Sequence, residues 1–351
     1  MKLLKKVVAT SLLILAVCHT TDSIANQSDM LPASVAKIMN TATEKIKLEK
    51  RRKGKDPAGT YTFELDNAKY TVKVFGKRAK LENRKKEIDI AETLSEEGVG
   101  AKFIGKAEDN SLYIREFIDG RVAKYEDFQN DEIIKKFAVA LKKLHACKID
   151  ATSSSQLNLT ERHFKKIMRR EGIARPKGLE VLYDIWKKQH ASLPSKTAFC
   201  HNNLVPSNIL ISKTGEIYFI NSEYCGKENV YDELGHVTLI TGISEEKLKN
   251  FLKDYLGEAP SEEILKTVKT AQQLANFAVS MHYFASSNSG KKDPEGIKKQ
   301  NEELDNMLNS DALKSAPDLL KENGFIKVKS RKKDLIKEYA LAFYKAYKES
   351  Q

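Results

Sequence analysis

Strict alternation of apolar and polar residues is confined to one stretch of this 351-residue chain, and that confinement decides what the chain can fold into. Tyr61, Phe63 and Leu65 alternate with polar residues, and Tyr70, Val72 and Val74 do the same. Asp66-Asn67 lies between the runs, so they read as a β-hairpin. From Leu81 to Leu94 the pattern loosens to helical spacing, with Leu81, Ile88, Ala91 and Leu94 as the apolar or small positions. Gly98 to Phe103 closes that helix. Ser111 to Ile118 reads as a third strand, ended by Asp119-Gly120. Beyond it the chain is mostly helical: Ile133 to Leu144 puts Phe137, Leu141 and Leu144 on one face, and further helices are expected over Leu248–Leu256, Ile264–Phe284 and Leu335–Tyr347. Two short strands, Asn208–Ser212 and Ile217–Ile220, interrupt around Lys213-Thr214-Gly215. No internal repeat is present. The expected fold class is α+β, a small β-rich lobe followed by a larger, mostly helical one.

Residues 1–25 stand apart. Lys2, Lys5 and Lys6 form a basic start, Val7 to Val17 is an almost unbroken apolar run, and Ser23-Ile24-Ala25 places small residues at the −3 and −1 positions of a cleavage site. This is the pattern of a secretory signal peptide. The run is shorter than the ~20 residues a membrane-spanning helix requires, and no other stretch reaches that length. The expectation is export, periplasmic or secreted, with no transmembrane segment in the mature chain. Over 26–59 a short helix within Met30–Leu48 and a basic linker at Lys50–Lys55 are expected. The 60 Lys and Arg against 48 Asp and Glu give a formal charge of +12. They are scattered through amphipathic stretches, which favours a solvated surface over a nucleic-acid stripe. With 41% hydrophobic residues the chain is not disordered. The four cysteines show no CxxC and no Cys/His cluster at zinc-like spacing.

One segment carries chemistry. His201-Asn202-Asn203-Leu204-Val205-Pro206-Ser207-Asn208 leads into a strand, a glycine turn and a second strand, then Ile220-Asn221-Ser222-Glu223-Tyr224. A kinase catalytic loop reads H-x-D-x-x-x-x-N, and a metal-binding Asp follows a second strand. His201 and Asn208 have that spacing, and Asn203 and Asn221 fill the aspartate positions. Upstream, Lys73 lies on the second hairpin strand and Glu87 on the helix after it; in kinases such a pair holds the α- and β-phosphates. Alone, the His-to-Asn spacing is a capped loop before a strand and the lysine is hairpin surface. Together they are informative.

On these segments the sequence resembles the choline/ethanolamine kinases, within the wider aminoglycoside-phosphotransferase-like group. The resemblance covers Thr60 to Gly290. Its pieces are Tyr70 to Lys77, Asn83 to Glu87, Glu97 to Gly105, Leu144-His145, Cys200 to Asn208, Glu223-Tyr224 and Tyr231 to Gly235. It implies a two-lobed protein-kinase-like fold: an N-lobe over 60–120, a C-lobe over 121–290 with the catalytic-loop region at 199–236, and a helical extension over 291–351. It also implies ATP and Mg2+ as cofactors. Lys73 and Glu87 would bind the nucleotide phosphates. His201 and Asn203 would occupy the catalytic loop, with Asn208 and Asn221 at the metal. Glu223, Tyr224, Asp232 and Tyr283 would lie near an amino-alcohol substrate.

The sequence departs from the family where chemistry happens. A carboxamide at Asn203 can orient a hydroxyl but essentially cannot take its proton, and general-base help is worth ~10²–10⁴-fold. At Asn221 a neutral side chain replaces a carboxylate, the ligand type on which magnesium sites rely; Glu223 is the remaining nearby acid. The family's tryptophans on the helix matching Leu274–Phe284 are missing, leaving Tyr283 and Phe284, weaker faces for a cation. Only Gly54 and Gly59 stand near the expected phosphate loop. Three readings follow: an exported, catalytically impaired pseudokinase that binds a small ligand or a protein partner; an active choline/ethanolamine-type phosphotransferase; and a basic interaction protein.

Overall fold

The computed structural model describes residues 30–50, 58–77, 79–149, 151, 156–169 and 179–287. The leader at 1–25, the basic run at 51–57 and the extension at 291–351 lie outside the described residues. The chain divides into two compact units at Asp119/Gly120, and each is described by itself.

The first unit is built on a five-stranded antiparallel sheet of order β1-β2-β3-β5-β4. Its strands are β1 (Glu49–Lys50), β2 (Gly59–Leu65), β3 (Ala68–Val74), β4 (Phe103–Lys106) and β5 (Leu112–Glu116). The expected hairpin is β2–β3. Leu65 pairs with Ala68, so Asp66 and Asn67 alone make the turn, both at positive φ (50° and 65°). That is the handedness a two-residue hairpin needs, and Asp and Asn tolerate it.

Side chains alternate across the sheet. One face carries Phe63, Leu65, Val72, Leu112 and Ile114, packed with Leu31, Val35 and Ala36 of helix α1 (30–39) and with Ile46. The segment ahead of the hairpin thus contributes both a helix and an edge strand, Glu49 pairing with Thr62. The other face carries Tyr113, which packs with Ile88 and Ala91 of helix α2 (Leu81–Glu96) and with Phe75 and Phe103. Leu81 is exposed rather than part of that apolar stripe. Gly98, at φ 68°, follows the end of α2, and Gly100 N–H returns to Leu94 O at 2.7 Å. That left-handed step is one glycine takes without strain.

The second unit holds helices α3 (Asp131–Ala146), α4 (Gln156–Arg169), α5 (Leu179–Ala191), α6 (Val230–Ile240), α7 (Glu245–Leu256) and α8 (Glu262–Ser287). It also has two small sheets. Strands β6 (Gly120–Val122), β8 (Ile209–Ser212) and β9 (Ile217–Phe219) form one, and β7 (Thr197–Cys200) with β10 (Gly226–Asn229) the other. The sequence pattern anticipates β8, β9, α3, α7 and α8, but not β6, β7, β10 or α6.

Asn130 caps α3 by accepting from Glu132 and Ile133 N–H, and Phe137, Leu141 and Leu144 are fully buried. Phe137 meets Phe128, Phe219 and Phe251. A second core joins Trp186, Tyr183, Leu274 and Phe277, with the Trp186 indole donating to Leu274 O at 3.0 Å. The chain's one tryptophan is therefore core. Helices α6 and α8 touch where Gly235 lies on Ala271; a Cβ there would come within 2.4 Å of the Ala271 carbonyl carbon. Among the described residues no helix is long and apolar enough to cross a membrane.

Candidate functional site

In the first unit, register sets the site. Lys73 of β3 pairs with Tyr113 of β5, so both share the face that α2 covers. Glu87 comes off α2 onto that face, is nearly buried, and places Oε1 3.7 Å from Lys73 Nζ. The Tyr113 hydroxyl donates to the same oxygen at 3.3 Å. The sequence-predicted pair is thus brought together, with Tyr113 as a third member that the sequence reading missed.

In the second unit, the loop after β7 is held from below by a residue that the sequence reading passed over. Glu233 of α6 is buried, and its carboxylate accepts from His201 N–H at 3.0 Å, Asn202 N–H at 2.6 Å and His145 Nε2–H at 2.8 Å. With Nε2–H committed, His145 Nδ1 accepts from the Tyr255 hydroxyl at 2.7 Å. Burial alone would raise the Glu233 carboxyl; the hydrogen bonds it accepts from His145 and from His201 N–H hold it below its ordinary value. His145, Cys200 and Glu233 bring ligand-type atoms within 4.8 Å of one another. Both imidazole nitrogens and both carboxylate oxygens are already committed, however, and burial pushes the Cys200 thiol well up. That group holds the loop rather than a metal.

His201 is fully buried and donates Nε2–H to Ile220 O at 2.9 Å. Burial pushes its imidazole below the ordinary value, against the pull of Glu233. It therefore positions the loop against the segment that carries Asn221. Asn202, in left-handed backbone (φ 62°), donates its amide to Tyr224 O at 3.0 Å. Both Asn202 and Glu233 were invisible as site residues, because their partners lie 22 and 31 residues away. The one available signal was Glu233's place in the Tyr231–Gly235 segment.

The two positions that the resemblance assigns to a metal meet. Asn208, buried at 5% exposure, donates Nδ2 to Asn203 O at 2.8 Å. Its Oδ1 accepts from Asn221 Nδ2 at 2.7 Å. Asn221 has left-handed backbone (φ 63°, ψ 63°) at the start of a short turn over Ser222–Tyr224. Asn203 is half-buried, and Glu223 and Tyr224 are exposed beyond it. Asp232 is not in this group: it is buried and takes a hydrogen bond from His190 Nε2 at 3.0 Å. That bond raises the His190 imidazole against the lowering by burial. The Tyr283 side chain lies outside the described residues.

As a set, the loop offers neutral hydrogen-bonding groups at Asn203, Asn208 and Asn221 and a carboxylate at Glu223. It can orient a hydroxyl, but at the three loop positions it has no base to take a proton. Oxygen-rich charged donors, which magnesium prefers, are likewise absent at Asn208 and Asn221, so this pair does not fit a divalent cation.

The Choline/ethanolamine kinase family profile matches residues 56–290. Ethanolamine kinase 2 of Mus musculus is 25% identical over 238 residues, covering 61% of this chain and 60% of that protein. The chain thus spans about 60% of the length of the curated relatives it first matches. The crystal structure of a choline/ethanolamine kinase family protein from Mesorhizobium loti superposes with TM-score 0.61 at 13% identity, covering 90% of this chain and 99% of that one. Choline kinase LicA from Streptococcus pneumoniae gives 0.57 at 18% identity, covering 79% and 97%.

Proposed function

We propose that this chain, which belongs to the choline/ethanolamine kinase family, is an exported pseudokinase that binds a small ligand of amino-alcohol type, or a protein partner, without transferring phosphate to it. The observation that carries this reading is the neutral carboxamide at both Asn203 and Asn221, on a loop that the buried Glu233 carboxylate still holds in place. Kinases of the family use ATP and a metal; here the proton acceptor and the metal carboxylate are both gone. Loss of a general base alone costs ~10²–10⁴-fold. Export, read from the leader, takes the chain to a compartment poor in ATP. The ligand class is supported by the family and by the mouse relative's name, ethanolamine kinase 2.

A second reading, an active phosphotransferase, is favoured by the Lys73–Glu87 pair, which keeps the arrangement that positions phosphates in kinases. Coupled-enzyme detection of ADP with MgATP and choline or ethanolamine separates the two. The expected result is no turnover above background, alongside stabilisation of the protein by an amino alcohol in a thermal-shift assay. Turnover at an ordinary kinase rate would establish the second reading.

A further inference from the structure

The orientations of the two amides at the metal positions are fixed by chemistry. Asn208 Nδ2 meets the backbone carbonyl of Asn203, which can only accept. Asn208 Oδ1 must therefore be the atom that faces Asn221. Only a donor satisfies that oxygen, so Asn221 presents its NH2 group, 2.7 Å away. The backbone beside the pair is tied as well: the residue before Asn221, Ile220, donates its N–H to Asn208 O at 3.0 Å. An N–H-bearing amide nitrogen is not a ligand for a hard cation. To enter, a divalent ion must break this bond, turn the Asn221 amide over, and then rest on two neutral dipoles. Glu223 is exposed.

We propose that the Asn208–Asn221 hydrogen bond takes the place of the metal. It closes the site without a divalent cation, and nucleotide or another phosphate-bearing ligand binds this protein in a metal-independent way. Asn221 is the residue that excludes the ion. The proposal rests on the family reading of which positions face the metal, and deepens it. In this account the loop needs no ion to hold its shape, since the amide pair and Glu233 already satisfy it. An aspartate at 221 would instead set a carboxylate oxygen against Asn208 Oδ1, two acceptors that repel unless a cation or a donor lies between them.

The test uses the full chain and two readouts that do not depend on turnover: binding of Mn2+ followed by electron paramagnetic resonance, and thermal midpoints with the non-hydrolysable analogue AMP-PNP in MgCl2 or in EDTA. Wild type is expected to leave the free Mn2+ signal unchanged, and AMP-PNP to raise its midpoint equally in either buffer; no rise in either, or a rise in MgCl2 alone, overturns the proposal. Asn221→Asp is expected to bind Mn2+ at least about tenfold more tightly than wild type, since affinity follows ligand charge, and to lose midpoint in EDTA. Wild-type Mn2+ binding that disappears in Asn221→Ala overturns the proposal, as does a folded Asn221→Asp that gains no Mn2+. The wild-type measurement stands on its own if Asn221→Asp does not fold. Metal binding without turnover would overturn this inference and leave the pseudokinase reading intact; turnover would do the reverse to that reading.

Discussion

Two clusters share the loop over 201–208, and they are built on opposite principles. At Glu233 a buried charge gathers two backbone N–H groups and an imidazole. At Asn208 and Asn221 two neutral amides gather each other. The first cluster gives the loop its shape. The second joins the two positions that the resemblance assigns to a metal and carries no charge. The contrast teaches that the shape of a catalytic loop and its chemistry are separable, because different residues supply them. A chain can lose the second and keep the first, as the first unit also keeps Lys73 beside Glu87.

The comparison is broken most forcefully at Glu233. Glu233→Ala leaves His145 and two loop N–H groups without their acceptor, and breaking a buried ionic partner costs about 3–5 kcal/mol. Urea or thermal denaturation should show a loss of that size. A loss below about 1 kcal/mol would mean that the loop is held by something else.

Acid should weaken the second unit next. His163 meets His282 edge-on, with ring centroids 5.0 Å apart. Burial, then His282, Arg162 and Lys166, push His163 down to about 4. His201, His236 and His282 are lowered too, in each case mainly by burial. An unfolded imidazole titrates at about 6.5. Between about 6.5 and 4 the unfolded chain therefore binds more protons than the folded one, so stability falls as pH falls. His190, raised by Asp232, works in the opposite sense, one group against four. The depressed Glu233 carboxyl adds a further loss below about 4.3. Thermal midpoints taken from neutral pH downward should decline through this window; a flat profile would contradict it.

Asn202→Ala sharpens the contrast. It removes the amide bond to Tyr224 O and leaves alanine in left-handed backbone, a combined cost of about 2 kcal/mol. In the first unit, Lys73→Ala should cost only about 1 kcal/mol, since the ion pair is long and its lysine partly solvated. A loss at Lys73 as large as that at Glu233 would erase the distinction between shape and chemistry.

How much of this was legible in the sequence follows from range. The β2–β3 hairpin was readable because its turn and alternation are local, and the faces of α2 and α3 because helical periodicity is local too. Spacing placed His201, Asn203, Asn208 and Asn221 on one loop-strand-strand unit. Strand β1 has two residues and shows no alternation to read. Strand β4 is broken by a register shift at Gly105. The Glu233 hub joins positions 31 to 88 residues apart, and no local pattern marks such a contact. The resemblance places Asp232 near the amino-alcohol substrate; that it bonds His190, 42 residues away, no local pattern could show. That the two metal-position amides bond each other depends on side-chain orientation, which spacing does not contain.

The central claim is that this chain transfers no phosphate, and that carboxamides at 203 and 221, on a loop of intact shape, are the reason. The most direct measurement is ADP release with MgATP and choline or ethanolamine by wild type, by each single reversion and by the Asn203→Asp/Asn221→Asp double variant. The account predicts that the double variant exceeds wild type by at least ~10²-fold, with each single change giving far less than its share, because the two residues act on one transition state. It is contradicted if wild type already turns over at ~1–100 per second, or if a double variant with a wild-type thermal midpoint is no faster than wild type.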